Sequence, residues 1–232
     1  MIYKFKKVIV IGLGGSIFYP DELNAAFLKK FRQFLRPFFR KHRFVIVAGG
    51  GRLARVFQSA AAAAGGRAIS DTEKDWLGIY ATRLNARLWQ AIFNKEADPE
   101  IITGRPGKKS LKFPVTISSG WTPGWSTDYV AAALANHFGA GAMISAGKPA
   151  HVFPVSKDGA LDENHPFDIM AWRDYRRLIP GKWRPGDHSP VDPVAARLCE
   201  REKTDAIVVR GDDFVNLGNM LKGRNFKGTI IK

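Results

Sequence analysis

Three glycine-rich turns are the strongest candidates for chemistry in this sequence, because each follows a strand-like run and precedes a helical pattern. They are Gly12 to Ser16, Gly49 to Arg55 and Ser119 to Asp128. Glycine lets the backbone approach an anion closely, and the first N–H groups of the following helix point at it. In a parallel sheet these turns meet at the carboxyl edge, where open α/β folds bind ligands. The pattern therefore predicts a phosphate-binding edge.

The first two turns differ from the common phosphate-binding motifs. No Gly-Lys-Ser/Thr follows Gly12, so the first turn is not a Walker loop, and it lacks the G-x-G-x-x-G spacing of a dinucleotide site. The glycines of the first turn are explained equally well by a tight strand-to-helix bend and by phosphate binding. In the second turn, Arg55 lies one helical turn beyond Gly51, so its guanidinium could grip a bound phosphate bidentately. The alternative for Arg55 is a solvated helix charge.

The third turn gathers hydroxyls, backbone donors, a carboxylate and two tryptophans. Ser126 or Thr127 could cap the helix that follows, and Asp128 could favour its positive end. Capping accounts for one or two of these residues only. Trp121 and Trp125 are predicted to form a wall against a planar or sugar group. Packing against a neighbouring subunit would explain two tryptophans in this turn equally well.

Composition limits the possible classes of protein. The chain has 232 residues, 45% of them hydrophobic, and its apolar runs are shorter than the ~20 residues that span a bilayer. Cys199 is the only cysteine and the five histidines are scattered, which predicts no disulfide and no metal ligands, and fits a cytoplasmic protein. A net charge of +15 suits nucleic acid, an acidic membrane or polyphosphate substrates, and does not choose among them.

Apolar runs alternate with helical patterns in the rhythm of β-α-β units, which predicts one α/β domain with a mostly parallel, helix-covered sheet. Strands are predicted at Val8 to Ile11, Phe44 to Ala48, Glu100 to Thr103, Val115 to Ser118, Ala142 to Ser145, Ala206 to Val209 and Thr229 to Ile231. Helices are predicted at 22 to 41, 53 to 64, Asp75 to Phe93, Ser126 to His137, Phe167 to Leu178, Pro193 to Arg201 and Phe214 to Leu221. Residues 146 to 190 form a long excursion of the kind that is usually functional or mobile.

The order of the turns resembles the amino acid kinase family, and within it the uridylate (UMP) kinases of the archaeal type. The resemblance runs through nearly the whole chain. It is carried by Gly14-Gly-Ser16, Gly49-Gly-Gly-Arg-Leu-Ala-Arg55, Asp75-Trp-Leu-Gly-Ile-Tyr-Ala-Thr-Arg-Leu-Asn85, Gly120 to Asp128, Val191-Asp-Pro-Val-Ala-Ala196 and Gly228-Thr-Ile-Ile231. It implies a three-layer αβα sandwich, with an acceptor-binding part over about 1–140 and a donor-nucleotide part over about 141–232.

The resemblance also implies ATP-dependent phosphoryl transfer to UMP, with Mg²⁺ as cofactor and a homo-oligomer, a hexamer in the family, as the assembly. No nucleic-acid partner is implied. UMP would contact Gly50, Asp75, Gly120, Trp121, Thr122, Pro123, Gly124, Trp125, Ser126 and Thr127. ATP would contact Gly12, Gly14, Gly15, Ser16, Gly51, Arg55, Ser145 and Lys148. The residues implied to act at the transferred phosphoryl group are Asp128, Arg55 and Asp192.

The donor segment departs from the family pattern. The family has Asn-Val-Asp-Gly-Val-Tyr where this chain has Ala146 to His151, and Gly12 stands where bacterial relatives carry a phosphate-binding lysine. The lysine of the late motif is absent around Ser189-Pro190. An alternative function is therefore a regulatory or catalytically impaired relative that binds UMP with a degenerate ATP site. Isopentenyl phosphate kinases carry a catalytic histidine in the helix after the glycine triplet, and residues 52 to 64 contain none.

Overall fold

A computed structural model describes residues 1–107, 110–154, 161–182 and 189–232. One sheet contains seven strands in the order β3-β2-β1-β4-β6-β7-β5. The strands are β1 (Val8–Leu13), β2 (Arg43–Ala48), β3 (Val115–Ser118), β4 (Ala142–Gly147), β5 (Ile169–Met170), β6 (Asp205–Arg210) and β7 (Thr229–Ile231). The first five strands of this order, β3, β2, β1, β4 and β6, are parallel to one another, and β7 runs antiparallel to β6. The mostly parallel α/β sheet predicted from the sequence is confirmed.

Helices cover both faces of the sheet. They are α1 (Gly15–Phe18), α2 (Ala25–Leu35), α3 (Gly51–Gly65), α4 (Asp71–Phe93), α5 (Thr127–His137), α6 (Trp172–Leu178), α7 (Pro193–Glu202) and α8 (Phe214–Leu221). Side chains of α1, α2, α4 and α8 share one core with one face of the sheet, and α5, α6 and α7 share another core with the opposite face. The chain is therefore a three-layer αβα sandwich.

Strand β1 shows why both faces are covered. Ile9, Ile11 and Leu13 point into the first core, whereas Val10 points into the second, and all four side chains are buried. Successive side chains of a strand alternate between faces, so a continuous apolar run needs a layer of helices on each side. This is the reason that Val8–Leu13 forms a central strand.

Helices α4 and α2 begin or end away from their predicted positions for reasons that the local sequence explains. Helix α4 begins at Asp71, not Asp75, because Ser70 accepts from the Glu73 backbone N–H while the Glu73 carboxylate accepts from Ser70 N–H in a capping box. Helix α2 ends at Leu35 and continues as a short 3-10 turn, since Pro37 has no N–H for an α-helical hydrogen bond.

The segment around Glu100 to Thr103 was predicted to be a strand, and this prediction is wrong. Ile102 instead forms an isolated bridge to Ser118, in which Ile102 N–H donates to the Ile117 carbonyl at 2.9 Å. The predicted helix from Phe167 to Leu178 is shorter, because Ile169–Met170 pairs with β7 before α6 begins at Trp172. Within the described ranges, no helix is long and apolar enough to cross a membrane.

Candidate functional site

The three glycine-rich turns meet around a cavity of about 630 Å³ at the carboxyl edge of the sheet. From the predicted set its wall contains Gly14, Gly15, Ser16, Gly50, Gly51, Arg55, Asp75, Gly120, Trp125, Ser126, Thr127, Asp128, Ser145, Lys148 and Asp192. Residues without a predicted contact complete the wall, namely Gly49, Ala54, Gln58, Gly78, Ile79, Thr82, Gly147, Pro149, Ser189, Pro190 and Val208. Five predicted residues are not brought to the wall: Gly12, Trp121, Thr122, Pro123 and Gly124.

The first and second turns touch through their backbones, and this contact requires glycine. A Cβ atom on Gly15 would lie 2.1 Å from the nitrogen of Gly51, and one on Gly49 would lie 2.4 Å from the nitrogen of Gly15. Gly51 also has φ of +62°, a left-handed conformation that side chains rarely adopt. The two turns therefore form one glycine floor at the N-terminus of α3, with space for a ligand above it.

Helix α4 holds the second and third turns in place. The Asn85 side-chain amide donates to the carbonyls of Gly49 and Gly50, at 2.8 and 3.0 Å, and Asn85 is buried. Thr82 Oγ1 accepts from the N–H of Gly120 at 2.8 Å and donates to a carbonyl of its own helix. Sequence reasoning assigned no role to Thr82 or Asn85. The available signal was two polar residues three apart on the buried face of a helix.

Asp75, on the first turns of α4, lies on the cavity wall. Its Oδ2 accepts from the N–H of Gly124 at 2.7 Å, which joins the helix to the third turn. Burial raises the pKa of Asp75, and the hydrogen bond from Gly124 opposes that rise. Asp75 is therefore both a wall residue and a brace for the third turn, so it does more than favour the helix N-terminus.

Two carboxylates, Asp128 and Asp192, lie side by side on the cavity wall. Asp192 caps α7, with Oδ1 accepting from the N–H groups of Val194 and Ala195 at 2.7 and 3.2 Å, and its Oδ2 accepts from the hydroxyl of Ser126. Burial raises the pKa of Asp128, and the charge of Asp192 raises it further. Burial also raises the pKa of Asp192. Burial thus disfavours the charged form of both carboxyl groups, and a bound cation would favour it.

The two tryptophans of the third turn have different surroundings. Trp121 is 5% exposed and packs in the core, where its indole N–H donates to Ser118 Oγ at 3.3 Å. Trp125 lies on the cavity wall, against Tyr129 at 4.5 Å between ring centroids and beneath the guanidinium of Arg105. The prediction of an aromatic wall therefore applies to Trp125, whereas Trp121 stabilises the fold.

Gly12 lies beneath the site and not on its surface. A Cβ atom there would lie 3.5 Å from Ala131 Cβ and 3.7 Å from Asp128 Oδ1. A Cβ atom would thus make ordinary van der Waals contact with Asp128, at the start of α5. A lysine at this position would have to pass the carboxylate to reach the cavity.

The end of the cavity beside β4 and Pro190 has few side-chain contacts among the described residues. The N–H of Gly14 donates to the Ala146 carbonyl at 2.9 Å, and Ser145 Oγ donates to the Pro190 carbonyl at 2.7 Å. Lys148 is exposed on this wall, and Arg55 donates one hydrogen bond, at 3.3 Å, to the Pro20 carbonyl. Both cations face solvent at the cavity and are free to reorient.

Metal-binding clusters of the usual composition do not occur in the part of the chain that the structure describes, where no group of three His, Cys, Asp or Glu residues could hold an ion. His42, His137, His151 and His165 lie away from the cavity wall. His188 is outside the described residues. A metal ion at the cavity would depend on Asp128, Asp192 and the ligand itself.

Comparison with known proteins agrees with this geometry. The model of the amino acid kinase family matches residues 7–109. The uridylate kinase of Methanosarcina barkeri is 36% identical over 92% of this chain and 91% of its own length, and that of Methanothrix thermoacetophila is 31% identical over 97% and 99%. The crystal structure of uridylate kinase from Archaeoglobus fulgidus superposes with a TM-score of 0.79, at 28% identity, over 98% of this chain and 100% of that one. The chain belongs to the amino acid kinase family and groups within it with the archaeal uridylate kinases.

Proposed function

We propose that this protein transfers the γ-phosphoryl group of ATP to UMP, giving UDP and ADP. The observation that carries the proposal is the single cavity in which the glycine floor, Asp75 and the Asp128–Asp192 pair face one another. Its volume lies in the range of ligand pockets, 300–1,000 Å³. The relatives named uridylate kinase, matched over almost their full length, supply the identity of the substrate.

The acceptor nucleotide would occupy the end of the cavity beside α4. Asp75 presents a carboxylate suited to the ribose hydroxyls, and Trp125 presents a ring suited to the base. Backbone N–H groups of the third turn and the hydroxyls of Ser126 and Thr127, at the N-terminus of α5, suit the acceptor phosphate. Because α4 fixes both turns through buried hydrogen bonds, the acceptor end is organised before UMP binds.

The donor nucleotide would extend from the glycine floor towards β4 and Pro190. Backbone groups of Gly14 to Ser16 and the N-terminus of α3 at Gly51 suit its phosphates, and Arg55 and Lys148 provide positive charge. Ser145 is engaged with the Pro190 carbonyl and would act by fixing that wall. The division into an acceptor part over about 1–140 and a donor part over about 141–232 is that of the resemblance, with the donor phosphates reaching the glycine floor and Arg55 in the first part.

Transfer would proceed by in-line attack of an acceptor phosphate oxygen on the γ-phosphorus. That oxygen is already anionic, so no general base is required, and the protein contributes positioning and electrostatic stabilisation. The glycine floor, where the first and second turns touch, is the place at which the two phosphate groups would meet. Arg55 would rotate from the Pro20 carbonyl to contact the transferred group.

The donor atoms of the site fit a magnesium ion. Asp128 and Asp192 offer carboxylate oxygens, which Mg²⁺ prefers, and Mg²⁺ is commonly bound by one or two carboxylates together with substrate phosphates. Burial raises the pKa of both carboxyl groups, and a bound cation would stabilise their charged forms. When bound, the ion would neutralise negative charge on the phosphate oxygens. Asp192 would keep Asp128 in place through its contacts with Ser126 and the N-terminus of α7.

An exposed apolar surface on α3 and α4 supports a homo-oligomer. Trp76, Tyr80 and Leu84 recur at four-residue spacing on α4, with Tyr80 60% and Leu84 61% exposed, and Val56 and Phe57 lie exposed on α3. Contiguous exposed apolar surface marks interaction sites. We propose that a second copy covers it, and that the assembly is the hexamer implied by resemblance. A cytoplasmic location remains an expectation from the sequence.

The oligomer is tested by light scattering after size-exclusion chromatography. The double variant Tyr80→Glu/Leu84→Glu should reduce the mass of the particle, because charged side chains oppose burial of this surface. Val215→Glu is the matched control, since Val215 is 78% exposed but lies on α8. An unchanged mass in the double variant would place the interface elsewhere.

The activity is tested by coupled detection of ADP with ATP, Mg²⁺ and one acceptor at a time: UMP, CMP, dUMP, isopentenyl phosphate or none. We expect turnover that depends on UMP. Thermal shift separates binding from catalysis, since a ligand at ~100 times its Kd stabilises the fold by ~2.7 kcal/mol. If UMP stabilised the fold without turnover and ATP did not stabilise it, the protein would instead be a regulatory relative that binds UMP and has a degenerate ATP site.

A further inference from the structure

The sheet has a second functional edge, opposite the cavity, where the parallel strands begin. We call it the amino edge. Eight exposed cations belong to it: Lys4, Lys6, Lys7, Arg40, Lys41, Lys203, Lys222 and Arg224. We propose that this edge binds the phosphate backbone of a polynucleotide, independently of the reaction in the cavity.

Backbone contacts place the N-terminal lysines beside the starts of β1 and β2. The N–H of Arg43 donates to the carbonyl of Lys7 at 2.8 Å, and the His42 imidazole donates to the carbonyl of Lys6 at 3.0 Å. Lys41 and Arg40 immediately precede these residues and are exposed. The first half of the basic edge is therefore continuous from β2 to β1.

Further contacts extend the edge across β4, β6 and the end of α8. The side chain of Lys6 lies over Gly141, which precedes β4, and the N–H of Asp205, at the start of β6, donates to the Gly141 carbonyl. Lys203 comes two residues before Asp205. Gly223, which lies between Lys222 and Arg224 in the chain, is close to Tyr3. A Cβ atom on Gly223 would lie 3.8 Å from the carbonyl oxygen of Tyr3. The cations thus form one strip along the edge.

These cations are not neutralised by the protein. In the described part of the chain none of the eight forms an ion pair, whereas the cations of α2, Arg32 and Arg36, both pair with Glu96. Of the two carboxylates beside the strip, Glu202 pairs with Arg201 at 2.8 Å, and Asp205 accepts from the neutral Tyr3 hydroxyl at 2.9 Å, so Asp205 offsets one of the eight charges at most. The strip therefore carries a concentrated positive charge.

The strip is too far from the cavity to serve the nucleotide substrates. Strand β1 has six residues, so its two ends lie about 17 Å apart at about 3.3 Å per residue. The Debye length is ~10 Å at 0.1 M salt, so exposed charges at that distance are largely screened. The composition suggested that the excess positive charge suits polyphosphate substrates. These eight cations lie at the edge opposite the cavity, so their charge does not hold the substrates there.

The dimensions and composition of the strip favour a polynucleotide over a membrane. Five strand positions from β2 to β7, spaced about 4.8 Å apart, extend the strip over about 19 Å, which is long enough for several successive phosphates. Binding to a membrane surface needs apolar side chains beside the cations. Of the exposed large apolar residues in the described ranges, Ile2 is the one within the segment that borders this edge.

The test is fluorescence anisotropy with a labelled single-stranded RNA of about 20 nucleotides, titrated between about 50 and 200 mM salt, with the same sequence as a duplex in a second arm. The edge variant is Lys4→Gln/Lys6→Gln/Lys203→Gln. The control is Lys29→Gln/Lys30→Gln/Lys95→Gln, which removes the same charge from exposed lysines on α2 and after α4. None of the six residues belongs to the cavity wall, so UMP phosphorylation should be unchanged in both variants.

We expect the parent to bind RNA with a linear dependence of log K on log salt. Loss of three phosphate contacts should make that slope shallower by about 2, at about 0.7 per contact, and the control should retain the parental slope. Equal weakening by both variants would show attraction by net charge alone and would overturn the proposal. Absence of RNA binding at low salt, or binding only to vesicles containing phosphatidylserine, would also overturn it. A failure of the proposed kinase function can be told apart from a failure of RNA binding, because loss of kinase activity would not alter the fluorescence anisotropy of the RNA.

Discussion

The two ends of the cavity that we propose hold the acceptor and the donor nucleotide are built in different ways. At the acceptor end, α4 holds both neighbouring turns through side-chain hydrogen bonds between 2.7 and 3.0 Å. Asn85 donates to the second turn, whereas Thr82 and Asp75 accept from N–H groups of the third. At the donor end, the wall depends on backbone contacts of Gly14 and on two exposed cations, Arg55 and Lys148. The difference indicates that the acceptor end is rigid before binding, whereas the donor end is completed by its ligand.

The largest effect should come from the carboxylate pair between the two ends. Asp128→Asn keeps the shape of the side chain and removes its charge, so we expect turnover to fall by about 10²–10³-fold, as for the loss of one group that stabilises the transition state. Steady-state ADP release measures this. Asp174→Asn, at an exposed carboxylate on α6, is the control and should retain activity. Full activity of Asp128→Asn would remove the pair from the mechanism.

The same variant has a pH signature. Because burial raises the pKa of Asp128 above its usual 3.8, the folded protein binds a proton that the unfolded chain has lost. The associated stability is therefore present below pH 3.8 and is lost as pH rises through the folded pKa. The Tm of the free parent should fall between pH 5 and pH 8, and that of Asp128→Asn should fall less. Parallel Tm curves would contradict the raised pKa.

Asn85→Ala tests whether α4 organises the acceptor end. The substitution removes the side-chain donor to the buried Gly49 carbonyl and to the half-buried Gly50 carbonyl, which should cost about 1–3 kcal/mol of the free energy of unfolding, measured with urea. The glycine floor should also lose its geometry, so kcat/KM should fall for both substrates. Asn225→Ala, at an exposed position, is the control. A stable variant with normal kinetics would show that the floor needs no brace.

Asp75→Ala separates the two ends most directly. Loss of a charged hydrogen-bonding group should raise the KM for UMP by about tenfold or more, at about 1.5–3 kcal/mol per such bond, and leave the KM for ATP unchanged. Asp71→Ala removes an exposed carboxylate from the same helix and should have no effect. If the KM for UMP were equal in Asp75→Ala and the parent, Asp75 would not contact the acceptor.

The smallest effects belong to the exposed cations of the donor end. Arg55→Ala should lower turnover, and Lys148→Ala should raise the KM for ATP, each by about fivefold, the size of one solvent-screened ionic contact. Arg173→Ala, at an exposed arginine on α6, is the control. A much larger effect of Lys148→Ala would show that the donor end closes around ATP and becomes as well ordered as the acceptor end.

Sequence alone located the three turns and nearly all of the strands, since glycine clusters and apolar runs express local requirements. Gly15 and Gly51 are necessary because backbone touches backbone there, and the residue type records that contact. The alternation in β1 records burial on both faces. The resemblance to the amino acid kinase family then predicted which substrates these turns bind.

Tertiary structure decided what each side chain of the turns contacts. Trp121 and Trp125 stand four residues apart in one turn, yet the first is buried in the core and the second faces the cavity. Asn85 lies 35 positions from Gly50 in the chain, so no local pattern could reveal that it holds the carbonyl of that glycine. The amino edge likewise exists only because folding brings residues from four separate segments together. Residue types determine which local structures form, whereas contacts between distant segments determine which of those residues share a site.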